Sequence, residues 1–153
     1  MAKIYKEEES KVMMLDMEVG DKLITKSRPL SKTDLYLNLM VLGIYHPMFY
    51  NVETAKEKGW KDTIFQGVIV MNIAEGLLHQ SGVIANSSAC LGSDKVKFTA
   101  PVFPGDDIRY ELEIVSKRQR ENKDWVVTFK FEIKTQNDEI AIDGLNTLLF
   151  TAS

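Results

Sequence analysis

The residues with the plainest chemical capacity in this 153-residue chain are His46 and Gly67. Histidine titrates near neutral pH, so His46 is the candidate for a catalytic base; the alternative is an imidazole hydrogen-bonded to backbone. Gly67 precedes the apolar run Val68 to Gln80. A glycine at the start of a helix leaves backbone N–H groups free at the positive end of the dipole and lets an electronegative atom approach closely. Such donors stabilise negative charge developing on a carbonyl oxygen. The alternative for Gly67 is a purely conformational role in a tight turn into the helix. Gln66 beside it hydrogen-bonds but exchanges no proton, and Tyr45 and Tyr50 donate from a phenol but are poor bases. Ile44, Phe49 and Val68 suit either the wall of a pocket for an apolar ligand or ordinary core.

Other chemistries lack their residues. No paired His/Cys spacing for a metal, Gly-rich phosphate loop or nucleophile motif occurs, so no metal or cofactor is expected. Glu75 is the one acidic residue in the apolar run, and His79 lies near its end, where it favours a helix C-terminus. The methionines are scattered and read as core filler.

These residues need elements to position them. Ser31 with Asp34 approximates a capping box, and Leu35, Leu39 and Leu42 at i, i+4 and i+7 predict a helix over Lys32 to Leu42 that Gly43 stops. Pro47 disfavours helix at His46, and Asn51 caps a short helix ending near Gly59. The run Val68 to Gln80 is apolar on nearly every face, as for a helix enclosed by other elements, and Gly82 ends it. Beyond it the period becomes two. Ile108, Tyr110, Leu112 and Ile114 form one half-buried strand, Trp125, Val127, Phe129, Phe131 and Ile133 a second, and Ile140 and Ile142 a third, connected as an antiparallel meander. Shorter strands are expected over Lys22 to Lys26 and Lys95 to Thr99. The fold class is therefore α+β, one curved antiparallel sheet wrapped around a helix. Such a sheet has edges and apolar surface to cover, so a homodimer or larger assembly is expected.

The length fits one domain over 1–153, with residues 1 to about 12 a polar, loose arm. A net charge of −3 with both signs interspersed argues against nucleic acid as a partner. The charged N-terminus and the lack of a long apolar run disfavour secretion and membrane insertion, and the single Cys90 fits a reducing compartment, which points to the cytoplasm.

The order of elements, Gly43…Pro47…Ala55, Phe65-Gln66-Gly67-Val68-Ile69 and the segment Val96 to Asp106 together resemble the MaoC-like, (R)-specific enoyl-CoA hydratase family of hotdog-fold proteins, over roughly residues 16 to 150. That family's signature is Gly-Asp-x-Asn-Pro-x-His, a small residue after five more positions, and a His-Gly pair opening the central helix. Gly43, Pro47, Ala55 and Gly67 match. Ile44 stands at the catalytic aspartate, His46 at the asparagine, Phe49 at the catalytic histidine and Gln66 at the helix-opening histidine. The resemblance implies a coenzyme A thioester as substrate or ligand and hydration or dehydration as the reaction, with His46 as the remaining imidazole and Gly67 holding the thioester carbonyl. Ile44, Tyr45, Phe49, Gln66 and Val68 would line the substrate site. Lys117, Arg118, Arg120 and Lys123 either meet the coenzyme's phosphates or form a solvated loop. Two other readings stand beside this one: a thioesterase, which wants a carboxylate that only Glu75 offers, and a non-catalytic acyl-CoA-binding or structural subunit.

Overall fold

The computed structural model describes residues 1–152. Its elements are β1 (Ile4–Lys6), β2 (Lys22–Ile24), β3 (Arg28–Pro29), α1 (Lys32–Leu42), α2 (Val52–Glu57), α3 (Gly67–Gln80), β4 (Ala89–Phe98), β5 (Asp107–Gln119), β6 (Trp125–Thr135) and β7 (Ile140–Phe150). The main sheet order is β1-β2-β5-β6-β7-β4, with β3 also paired to β5. This is the α+β hotdog arrangement: β5, β6 and β7 form the meander, and the sheet packs on α3.

Local chemistry explains the helices. Ser31 accepts from the Asp34 N–H while the Asp34 carboxylate accepts from the Ser31 N–H, a complete capping box at the start of α1. Gly43 ends α1 at φ 67°, a left-handed conformation that glycine adopts without a Cβ penalty. Asn51 caps α2 through the Thr54 N–H at 3.0 Å.

The strands β5 to β7 alternate as their period predicts. Ile108, Tyr110, Leu112 and Ile114 of β5 and Phe129, Phe131 and Ile133 of β6 point into the core, against Ile69, Val70, Ala74, Leu77 and Leu78 of α3. Burying each such aliphatic side chain contributes about 1.5–3 kcal/mol, so this contact between α3 and the sheet is the principal cohesive layer.

Three features differ from the sequence reading. The arm is not wholly loose: β1 pairs with β2, and the Lys3 N–H donates to Asp21 Oδ1 at 2.7 Å. That pairing is parallel, so the sheet is mixed at this margin and antiparallel elsewhere. β4 begins at Ala89, well before Lys95, and pairs with β7 through two register shifts. Finally, α3 is covered on one side only, leaving Val68, Asn72 and His79 exposed along the other. Among the described residues no helix is long and apolar enough to cross a membrane.

Candidate functional site

The start of α3 is built by Gln66. Its backbone is extended (φ −64°, ψ 133°), its carbonyl accepts from the N–H groups of Ile69 and Val70, and its side-chain Oε1 accepts from the Ile69 N–H at 3.1 Å. The amide thus serves as the helix cap. The N–H groups of Gly67 and Val68 have no acceptor among the described residues, as expected for the first turn of a helix.

Both groups border a cavity of about 370 Å³, lined by Trp60, Ile64, Phe65, Gln66, Gly67, Val68, Val70 and Ile142 together with Phe98 to Val102. The Phe65 N–H donates to the Val102 carbonyl at 2.9 Å, tying the segment before α3 to the far wall. Phe98, at the end of β4, lies over Gly67. A Cβ added at Gly67 would overlap the Phe98 ring at Cδ1, so any larger residue here requires that ring to shift. Phe98 is nevertheless 53% exposed, and its ring has open space to move into.

No ionisable side chain lines this cavity. It offers two N–H donors, an amide and apolar walls: a place for a carbonyl with an apolar chain attached. Of the site residues read from sequence, the structure brings Gln66, Gly67 and Val68 together here. Ile44, Tyr45, His46 and Phe49 do not line the cavity. Ile44 and Phe49 pack against the core margin, and Tyr45 is 72% exposed.

His46 is exposed and caps a single 3-10 turn, Pro47–Phe49, its Nδ1 accepting from the Met48 N–H at 3.2 Å. Its ring stands 5.6 Å from that of Phe49. A neutral imidazole that accepts at Nδ1 carries its proton on Nε2, so the outward nitrogen is a donor. In this arrangement the ring offers a hydrogen-bond donor at Nε2, and its Nδ1 lone pair is engaged. The basic cluster is also partly committed: Lys117 Nζ turns back onto the carbonyls of Leu15 and Met17 and lies 5.2 Å from the centre of the Trp125 ring.

The walls supplied by Trp60 and Phe98 were not legible as a site from sequence, because neither belongs to the helix they face. Phe98 lies within the segment Val96 to Asp106, but its place over Gly67 depends on the pairing of β4 with β7 in the folded sheet.

Residues 15–136 match the family model described as MaoC like domain. The chain belongs to that family. A mitochondrial 3-hydroxyacyl-[acyl-carrier-protein] dehydratase from Arabidopsis thaliana is 24% identical to this MaoC-like chain over 136 residues, covering 87% of it and 77% of the plant protein. A monoamine oxidase regulatory protein from Archaeoglobus fulgius superposes with a TM-score of 0.83 at 28% identity, covering 100% of this chain and 99% of its own. The (R)-hydratase from A. caviae involved in PHA biosynthesis superposes with a TM-score of 0.74 at 23% identity, over 90% of this chain and 98% of that one. This last likeness is one of fold.

Proposed function

We propose that this MaoC-like chain binds an acyl-CoA thioester at the start of α3, the carbonyl oxygen accepting from Gly67 and Val68 N–H and the acyl chain lying in the adjoining apolar cavity. The supporting observation is that pair of unpaired donors at the border of an apolar cavity. Donors aimed at a thioester oxygen favour the enolate-like charge that forms when water is added to, or lost from, the neighbouring carbons. Hydration or dehydration is therefore the reaction this site is shaped to assist, as a lyase of fatty acyl metabolism. An acyl-carrier-protein thioester, the substrate class in the plant relative's name, is the alternative carrier.

A second reading, binding without turnover, is favoured by the lack of any ionisable side chain on the cavity wall. The two readings separate experimentally. Gly67→Val alone would push into Phe98, so the informative pair is Phe98→Ala and Phe98→Ala/Gly67→Val, in which the blocking ring is gone. Acyl-CoA at a hundredfold excess over its Kd stabilises a protein by about 2.7 kcal/mol. Phe98→Ala should keep that thermal protection and the double variant should lose it. Equal protection of both would exclude carbonyl binding at Gly67. Turnover of enoyl-CoA substrates of several chain lengths marks an enzyme, and clear binding with no turnover marks a binding subunit.

We also propose a homodimer. β4 is paired only to β7, leaving its other edge free, and Val68, Leu91 and Phe98 expose apolar surface there and at the start of α3.

A further inference from the structure

The outward face of α1 has no part in the function proposed above. Leu35 and Leu39 anchor the helix in the core, and on the opposite side Tyr36 stacks above Met40, and Leu37 above Val41, as i, i+4 pairs. A helix face turned to water ordinarily carries charge. This one carries none: Tyr36 is 37% exposed, Leu37 56%, Met40 67% and Val41 83%. Tyr45, 72% exposed, extends the patch, since its ring lies beside Gly43 at the end of α1. No Asp, Glu, Lys or Arg occurs from Leu35 to Val52, in a chain that is 27% charged.

This surface is distinct from the β4 edge. α1 follows directly on β3, which pairs with β5, whereas β4 lies beyond β6 and β7 at the other margin of the sheet. Three strand spacings, about 14 Å, separate the two strands. At about 150–250 Å² for a large side chain, the five exposed fractions amount to roughly 500–800 Å². That is at or above the largest apolar patch of a typical monomer, about 300–600 Å². It approaches the roughly 800 Å² that each partner gives to a stable interface.

We propose that the outward face of α1 packs against the same face of a second copy of this chain, as an interface separate from the one at α3 and β4. Charge selects that occupant. In a two-fold interface each patch meets itself, so any charge near the axis faces its like, and a charge-free patch is the kind that pairs with itself without repulsion. Tyr and Met are enriched, and Lys, Glu and Asp depleted, in interface cores. An anionic bilayer or an acidic protein would call for Lys or Arg around the patch. The one lysine of α1, Lys32, instead lies 3.9 Å from the Asp62 carboxylate, and the one acid, Asp34, is held by Arg28 at 2.8 Å. With both interfaces formed, the assembly is a tetramer of two-fold related pairs.

The test is the mass of parent and variants by sedimentation at micromolar concentration, with circular dichroism confirming the fold. Val41→Glu and Val41→Lys should each halve the parent mass, and mixing the two should restore it, because opposite charges then meet across the axis. Leu91→Asp should leave an α1-linked dimer, and Leu91→Asp/Val41→Glu should be monomeric. A parent dimer split by Val41→Glu but not by Leu91→Asp supports the α1 interface, and only the β4 surface then fails. A monomeric parent, or a mass that neither Val41 variant changes, overturns the proposal. So does co-sedimentation of the parent with vesicles of phosphatidylcholine and phosphatidylglycerol that Val41→Glu abolishes without altering mass, which would assign the face to lipid.

Discussion

At the scale of single residues, a carboxylate on α3 and a glycine under an aromatic ring carry the sharpest consequences. Burial raises the pKa of Glu75 above its ordinary 4.5, against the pull of the Tyr110 and Asn146 hydrogen bonds and of the His79 charge. Burial and the Glu75 charge push the Tyr110 phenol well above its usual range, so it stays a donor. The folded state thus holds the Glu75 proton more tightly than the unfolded chain. Its contribution to stability is fullest below the unfolded value and is lost as pH rises through the folded one. Glu75→Gln should therefore be more stable than the parent at neutral pH, an advantage that shrinks toward zero on acidification below the ordinary carboxyl range. Denaturant midpoints across pH measure this, and a constant offset would contradict it. Gly67 gives a steric prediction. Gly67→Ala should cost about 1–3 kcal/mol through overpacking, and most of that should vanish in a Phe98→Ala background, because the nearest blocking atoms all belong to Phe98.

At the scale of elements, stability rests on caps and ladders that differ in how far their partners lie along the chain. Ser31→Ala removes the capping box of α1 and should lower stability by about 1 kcal/mol, read from chemical denaturation. At the opposite margin, N–H donors from Glu18 and Lys3 hold the Asp21 carboxyl below its ordinary 3.8. That stabilisation is present above the unfolded value and is lost as pH falls through the folded one. Hydrogen exchange of β1 should accelerate in that acid window before the core of β6 is affected; simultaneous loss would show that β1 is not separately tethered. The same difference in range governs what could be read from sequence. α1, α2 and α3 were legible because Ser31, Asn51 and the apolar run of α3 act within a turn or two, and β5 to β7 because each alternates by itself. The first half of β4 was not, since Ala89 to Asp94 shows no alternation and its side chains are exposed. Its strand character comes from β7, far away in sequence, and the two bulges between them blur any period. At the site, Gln66, Gly67 and Val68 were legible as a helix start, whereas Ser93, Tyr110 and Asn146 come from three strands and converge on Glu75 only in the folded sheet.

At the scale of the molecule, α3 has one covered face and one open face, and the sheet has one free long edge. A partner covering both is the arrangement that removes the apolar exposure of Val68, Leu91 and Phe98. Analytical ultracentrifugation at micromolar concentration should give a dimer or larger species, and Leu91→Asp should weaken it toward monomer; a monomeric parent would refute the assembly. The sheet order carries one more consequence, for biosynthesis. β4 is made directly after α3 but has its hydrogen-bonding partner in β7, which emerges only after β5 and β6. A nascent chain must therefore hold an apolar helix and an unpaired strand until residues 140–150 have cleared the ribosome. Such non-local closure slows folding and prolongs the exposure of sticky surface. Ribosome-stalled chains ending before Ile140 should accordingly recruit chaperones that chains stalled well beyond Phe150 release.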